Sequence, residues 1–390
     1  MPPSTNTALP FALSEPLCML KDTVRELSLR HIAPRAADID ETERYPEDIF
    51  ELLKAHDLLG LYIPEKYGGA GLGILGACVA IEEIARVCSN SPLFISVFLL
   101  ATRTVELAAS EAQKNHLLRG IATGTLRGSF STTEPHAGSD IAAMRTRAAL
   151  DGDEWVINGQ KSFCTGSPQA DFIVLAAKTD PAKGTKGMSL LLVPKDAPGL
   201  SIGPPERKMG MRGIPTCGLF FDDCRIPREN VIGEVGGGFK TAMLGFNQAR
   251  PCIGARGVGL AQGCLDYALA YAKEREAFGK PISHHQAVQF MLADMFMGIE
   301  ASRLLVHRAA ALVDAGRYGK DDVHTISASK CFSSDVAMKA ALDGVQILGG
   351  AGYMKDHPME RFMRDAKQLQ IIEGTNQIQR SVIARNLLDL

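Results

Sequence analysis

The sequence of 390 residues predicts an α+β multidomain chain that is helical, then β, then helical again. Three observations predict it. Residues 14 to about 127 carry apolar side chains at helical spacing. Residues 128 to about 236 switch to short apolar runs broken by Gly and Pro. From about 238 onward the helical spacing returns in longer elements. The zones divide as an N-terminal helical domain over 1–127, a middle β sandwich or barrel over 128–236 and a C-terminal helical bundle over 237–390. Two or three domains of roughly 150 residues are what a chain of this length accommodates.

The first dozen residues are rich in Ser, Thr, Pro and Ala and read as a frayed arm. They lack the basic and apolar regions of a signal peptide. A helix is expected from Glu47 toward Leu59, stopping at Gly60, and another near Ile74 to Val87. The segment from Pro92 to Ala108 is apolar on nearly every face, so it lies in the core or along a pocket. In the middle zone Trp155-Val156-Ile157 precedes Asn158-Gly159, a hairpin signal. The runs DFIVLAAK, GMSLLLVPK and CGLFFDDCRIP then read as strands. In the last zone Val288, Met291, Met295, Ile299, Leu305, Ala309 and Leu312 form a stripe. It implies one helix of about 30 residues and about 45 Å. Two more helices are expected near Asp321 to Leu348 and Asn376 to Leu388, and long helices with short connections argue for a bundle.

Composition excludes several functions. Forty-two basic residues against 44 acidic ones leave a net charge of −2, with no pull toward nucleic acid or an anionic membrane. No apolar run is long enough to span a bilayer. The nine cysteines are scattered, form no CxxC and read as reduced, mostly buried thiols, with no zinc site. Signatures of nucleophile elbows, zinc proteases and P-loops are absent. His284-His285 would diverge on a helix and read as a loop or helix start. Gly257-Val258-Gly259 follows no strand, so small residues packing helix on helix explain it better than a dinucleotide fold. Gly236-Gly237-Gly238 reads as a turn at the β-to-α junction.

Three stretches stay open on the residues alone. SFSTTEPHAGSD, from Ser129 to Asp140, is either a ligand cradle of hydroxyls and amides or a cluster of polar turns. The glycines of GVQILGGAGYM are either a helix C-cap or a close approach to a ligand. In IIEGTNQIQR, Thr375 is a candidate N-cap. The preceding Glu373 is either solvated or, in an apolar setting, raised toward the pKa of a proton-abstracting base.

Together these stretches resemble the acyl-CoA dehydrogenase family of flavoproteins. The resemblance runs from about Ser14 to Leu390. It rests on IPEKYGGAGLG at 63–73, TTEPHAGSD at 132–140, INGQKSFCTG at 157–166, MGMRGIPT at 209–216, EREAFGKPI at 274–282, QILGGAGY at 346–353 and IIEGTNQIQR at 371–380. It implies an N-terminal helical domain, a middle β domain and a C-terminal four-helix bundle. It also implies α,β-dehydrogenation of an acyl-CoA thioester, with FAD as cofactor. The family's base matches Glu373, which would take the α-proton while the β-hydrogen leaves as hydride to flavin N5. The position some members use instead matches Ala249, which cannot serve. The backbone N–H of Glu373 and a ribityl hydroxyl would stabilise the thioester oxygen.

For the flavin, the resemblance implies Phe130, Thr132, Thr133, Gly138, Ser139, Phe163 and Thr165. Thr375 and Gln377 would meet its diphosphate and adenine side. Arg275, Phe278, Gln286, Gln346, Gly349 and Gly350 match positions that reach FAD across a subunit interface. At least a dimer follows, and the family's usual state is a homotetramer, a dimer of dimers. Ser139, Asn247, Arg250 and Gly374 match thioester contacts, Arg250 having a structural ion pair as its other reading. Phe94, Phe98 and Leu99 on the pocket-lining helix imply an apolar pocket filled by aromatics, which favours a short, branched or cyclic acyl group. Phe163 stands where many members have Trp. Arg103 is a weak candidate for a second substrate carboxylate, and His136 reads as a surface turn residue. An electron-transferring flavoprotein is the implied acceptor. Other readings keep the fold but change the function: an oxidase, a desaturase of carrier-bound acyl groups, an eliminating lyase or a non-catalytic acyl-CoA-binding scaffold. The lack of a transit peptide points to a bacterial cytoplasmic enzyme, although a processed mature chain would look the same.

Overall fold

The computed structural model describes residues 12–390, so the rest of the opening arm, residues 1–11, lies outside the described part. Among the described residues the N-terminal zone holds six α-helices: α1 (Glu15–Leu27), α2 (Ala36–Thr42), α3 (Glu47–Ala55), α4 (Gly73–Ala85), α5 (Leu93–Ala108) and α6 (Glu111–Ala122). Helix α5 is buried along almost its whole length, as an all-apolar helix must be. The N-terminus of α6 carries a complete capping box between Ser110 and Gln113.

The middle zone holds β1 (Gly128–Ser131), β2 (Arg147–Asp151), β3 (Glu154–Thr165), β4 (Phe172–Lys178), β5 (Met188–Pro194), β6 (Leu200–Pro205), β7 (Thr216–Pro227) and β8 (Val231–Ile232). These make one sheet of eight strands in the order β6-β7-β3-β2-β4-β5-β8, with β1 parallel to β4. A single register pair, Arg147 with Lys178, joins the β2 and β4 halves. The sheet folds over on itself there. Ile157 and Leu219 from one half meet Ile173, Leu175 and Leu191 from the other in a core of their own. The other face of β4, at Phe172, Val174 and Ala176, packs into the main core with the helices. A strand buried on both faces has no room for a polar residue, and β4 carries none before Lys178.

The hairpin expected at Asn158-Gly159 is not there. Both residues lie inside β3, where the register slips between Ile157 and Gly159 and Gly159 has φ +142°. That is a β-bulge, which glycine tolerates. The chain turns earlier, between β2 and β3, at Gly152 with φ +62°.

The C-terminal zone is built from α7 (Gly238–Glu274), a small hairpin of β9 (Glu276–Ala277) and β10 (Lys280–Pro281), α8 (Gln286–Asp314), α9 (Val323–Leu348), α10 (Met359–Leu369) and α11 (Asn376–Leu387). Helices α7 and α9 touch nearly backbone to backbone. A methyl at Gly257 would sit 2.9 Å from the Ser333 carbonyl oxygen, and one at Gly259 would sit 2.2 Å from that of Glu82 on α4. The small residues of GARGVG are helix-packing residues, and His285 is the N-cap residue of α8. Polar contacts fasten the zones together. Asp314 at the end of α8 accepts from the N–H groups of Ile74 and Leu75 at the start of α4, and Arg364 on α10 donates to both oxygens of Asp40 on α2. Among the described residues no helix is long and apolar enough to cross a membrane.

Candidate active site

The site is assembled from the edge of the sheet and the inner faces of α7 and α9. Strand β1 and the segment after it run beside the end of β3. Ser129 Oγ donates to the Thr165 carbonyl at 3.0 Å, and the Ser162 N–H donates to the Thr133 carbonyl at 2.8 Å. These contacts bring the segment Phe130–Thr133 beside the end of β3, where Phe163 and Thr165 stand. Phe163 stands out there, 65% exposed at φ +58°. A bulky residue in the left-handed region is strained, and such strain gathers at functional sites. An open aromatic ring beside this threonine-bearing segment is a candidate support for a flat heteroaromatic group such as a flavin. Gly138 and Ser139 lie at the exposed end of the same loop, and a methyl on Gly138 would meet nothing within 4 Å.

A buried ion pair holds that loop. Glu134 accepts from Lys161 Nζ at 2.8 Å and from the N–H groups of Arg145 at 2.6 Å and Thr146 at 3.0 Å. Burial raises the carboxyl, but Lys161 and these donors outweigh it and leave it at about 2. Burial draws Lys161 down to about 8 against the pull of Glu134. Glu134 stands in TTEPHAGSD and Lys161 in INGQKSFCTG, and nothing in the two motifs marks them as a pair. His136 Nε2 lies 3.5 Å from Glu134, partly exposed.

Across from the sheet, Phe246 on α7 packs edge to face on Phe130, with ring centres 5.7 Å apart. The next turn of α7 brings in Asn247 and Arg250. Arg250 Nη1 donates to Asn247 Oδ1 at 2.6 Å, and Asn247 Nδ2 donates to the Tyr318 carbonyl at 2.8 Å. Pro251 follows and leaves the Asn247 carbonyl without its helical donor.

Glu373 sits in the loop between α10 and α11 at φ +51°, and its Oε2 is buried with no hydrogen-bond partner. The loop is pinned from three directions. Lys330 on α9 donates to the Gly374 carbonyl and to Asn376 Oδ1, both at 2.9 Å. Gln379 Nε2 donates to the carbonyls of Glu373 and Gly374, both at 3.2 Å. Thr375 accepts from the Ile378 N–H as the N-cap of α11. Burial raises the Glu373 carboxyl to about 7 against the opposing fields of Arg250, Lys330 and Arg256. Burial lowers Lys330 to about 8 and Arg250 to about 10, with Glu373 pulling both the other way. An acid at neutrality inside a cluster of buried cations is suited to taking and returning one proton. Beside it, Thr375, Gln377, Asn376, Lys367 and Arg380 line a cleft of about 460 Å³.

Other expected site residues lie elsewhere in this chain. Gln346 is 16 residues beyond Lys330 on α9, about 24 Å along the axis. Gly349 and Gly350 follow it, exposed, with Gly349 ending the helix at φ +60°. Arg275, Phe278 and Gln286 cluster around the β9–β10 hairpin, and Phe278 is 95% exposed at φ +56°. Phe94 and Phe98 are buried among other aromatic rings. Phe94 packs edge to face on Tyr45 and Phe50, and Phe98 on Phe50, while Leu99 is fully buried. These rings complete the N-terminal core. The face of α5 toward the sheet instead carries Val97 and Ala101, which would touch methyls placed on Gly166 and Gly128. Arg103 is engaged by Glu106 and Gln248, so its charge is already matched.

Comparison with known proteins identifies the family. Residues 14–125, 129–224 and 236–388 match the N-terminal, middle and C-terminal domains of acyl-CoA dehydrogenases. A probable acyl-CoA dehydrogenase of Mycobacterium leprae is 48% identical over 97% of both chains. Cyclohex-1-ene-1-carbonyl-CoA dehydrogenase of Syntrophus aciditrophicus is 44% identical over 96% of this chain and 91% of its own. Butyryl-CoA dehydrogenase of Megasphaera elsdenii superimposes with a TM-score of 0.93 at 36% identity, covering 97% of this chain and 100% of that one. A chain solved in work on the electron transferring flavoprotein of Acidaminococcus fermentans gives 0.94 at 40% identity, with 97% and 100% covered. The chain belongs to the acyl-CoA dehydrogenase family, FAD-dependent oxidoreductases that act on acyl-CoA substrates.

Proposed function

We propose that this enzyme dehydrogenates the α,β bond of a short, branched or cyclic acyl-CoA, with Glu373 taking the α-proton and an electron-transferring flavoprotein as the final acceptor. One observation carries the assignment of the base. Glu373 carries a buried, unpartnered carboxylate oxygen on a strained backbone, and its pKa lies near 7. FAD, when bound, accepts the β-hydrogen as hydride. Phe130, Thr132, Thr133, Phe163 and Thr165 would hold its ring, and Thr375 and Gln377 its diphosphate side. Asn247 and Arg250 would orient the thioester, and Phe246 with Phe130 would close an apolar wall that keeps water from the reacting carbons. Arg275, Phe278, Gln286, Gln346, Gly349 and Gly350 would reach FAD on a partner subunit of a homotetramer.

Close packing of α5 on α7 supports a short acyl group. A methyl at Gly245 would lie 2.9 Å from Thr104 Cγ2 and 3.3 Å from Leu100 Cδ1, so the helices leave little depth between them. The relatives named for cyclic acyl-CoA substrates point the same way.

The test is anaerobic titration of the holoenzyme with butyryl-, isobutyryl-, cyclohexanoyl-, dicarboxylic and palmitoyl-CoA, followed by the flavin bands. Bleaching by the short, branched or cyclic thioesters is expected. Glu373→Gln should keep its flavin and fail to bleach. Rapid bleaching by that variant removes Glu373 from the role, and a flavin that no thioester bleaches removes the dehydrogenation itself.

A further inference from the structure

Between Pro251 and Leu265 on α7 the chain carries a single charged residue, Arg256. Its side chain is 0% exposed. Nη2 donates to Gln368 Oε1 at 3.2 Å, in the last turn of α10, and lies 3.5 Å from Met211 Sδ. Nε and Nη1 have no partner at all. Among the described residues Arg256 forms no ion pair at 4.0 Å or less, and neither do Arg250 and Lys330. A buried cation without a paired anion is costly, and an apolar side chain of similar volume would pack at least as well. Packing alone therefore does not account for an arginine here.

We propose that Arg256 is a positioning residue for the base. It props Gln368 in the last turn of α10, which leads into the loop that carries Glu373, and supplies one of three buried positive charges that keep the Glu373 carboxylate ionised. The proposal rests on Glu373 being the base and adds what sets its charge.

The groups around the pair are few. Arg250 and Arg256 face Glu373 from α7, and Lys330 faces it from α9, with Asp335 and Cys331 nearby on the same helix. On the far side of Arg256 stands Asp365 of α10, whose Oδ1 is taken by the Met211 N–H at 2.5 Å, and beyond it Lys208. Burial lowers the guanidinium to about 10. Of the two carboxylates that oppose this, Glu373 acts more strongly than Asp365. Glu373 in turn has no donor on Oε2, so its ionised form depends on the field of these cations and not on a hydrogen bond. Removing one charge from that field leaves the base protonated to a higher pH.

The experiment is the pH dependence of anaerobic flavin bleaching by a competent acyl-CoA, measured on FAD-loaded wild type, Arg256→Gln, Arg256→Met and Arg256→Lys. The two neutral variants should move the rising limb of the bleaching rate up by about one pH unit, roughly a tenfold loss below the limb. Above the limb their rates should converge on wild type. Arg256→Lys, which keeps the charge, should restore the limb to within a few tenths of a unit. The Met variant preserves volume and serves if the Gln variant does not fold. A neutral variant whose limb stays in place, or whose rate falls by one factor at every pH, overturns the proposal and leaves Arg256 a packing residue. If Glu373→Gln itself still bleaches, the base assignment falls first and this proposal with it. If Glu373→Gln is inert and the limb is unmoved, only the role of Arg256 falls.

Discussion

Glu373→Gln should stabilise the folded protein at alkaline pH while removing its chemistry. The carboxyl titrates at about 7 in the fold against 4.5 for an ordinary glutamate. The folded state therefore binds this proton more tightly than the unfolded state does. Below about pH 4.5 both states are protonated and the group costs nothing. As pH rises toward 7 the unfolded chain ionises first, and the folded chain loses relative stability until both are ionised. Each unit of separation corresponds to about 1.4 kcal/mol, so the ionised carboxylate costs the fold about 3 kcal/mol at pH 8 and about 1 kcal/mol at pH 5. Glutamine cannot ionise and avoids that cost. The assay is urea unfolding of wild type and variant at both pH values, with fixed subunit and saturating FAD concentrations, because both shift the apparent midpoint. The variant should gain on the order of 2–3 kcal/mol at pH 8 and under about 1 kcal/mol at pH 5. An equal gain at both values, or a loss at pH 8, would show that Glu373 is not a destabilised buried acid.

Two further outcomes test the scaffold. Lys161→Met leaves Glu134 as a buried carboxylate without its cation, and should cost about 3–5 kcal/mol and release FAD at lower urea; unchanged midpoint and flavin retention would mean that the pair does not hold the 132–140 loop. Gly259→Ala drives a methyl to 2.2 Å from the Glu82 carbonyl oxygen and should destabilise by about 1–3 kcal/mol in the same assay, a cost that would be absent if α4 and α7 could simply separate.

Helical periodicity was the most legible part of this chain. The stripe from Val288 to Leu312 falls inside α8, and Thr375 caps α11 as its position before a helical run implies. The segment from Leu93 to Ala108 is buried as an all-apolar helix should be, but the partners of its aromatic side cannot be read from the sequence. Which face of a helix meets which neighbour is a tertiary fact, and Tyr45 and Phe50 claim Phe94 and Phe98 for the core. The Asn158-Gly159 signal misled because asparagine and glycine suit a bulge as well as a turn, and pairing of β3 with β7 across this point keeps the strand going. Helix α10 is not among the expected helices, although its apolar residues Met359, Phe362, Ala366 and Leu369 keep helical spacing. The buried charges were the least legible. Lys161, Lys330 and Arg256 look like ordinary surface cations until long-range packing places them. Arg256 alone left a signal, a lone charge in a run of small and apolar residues.

The same glycines that close the helices on one another explain why such charges can be kept. Methyls at Gly254 and Gly257 on α7 would press on the carbonyls of Ser329 and Ser333 on α9, so the two helix axes lie close and water is shut out between them. Lys330 rises from the α9 side of that contact, and on α7 Arg250 precedes it by about a turn while Arg256 stands between the two glycines. All three are therefore held in a medium where a charge acts over several ångströms with little screening. In water the same residues would do little to a carboxylate they do not touch. Here they offset much of the burial penalty on Glu373, enough to bring it to about 7 and no lower. A pair in contact would have fixed the proton off the base; cations held back from it leave the base able to accept one. The spacing imposed by small residues on two helices thus sets the acidity of a side chain on a third element, and the helix bundle is part of the chemistry it encloses.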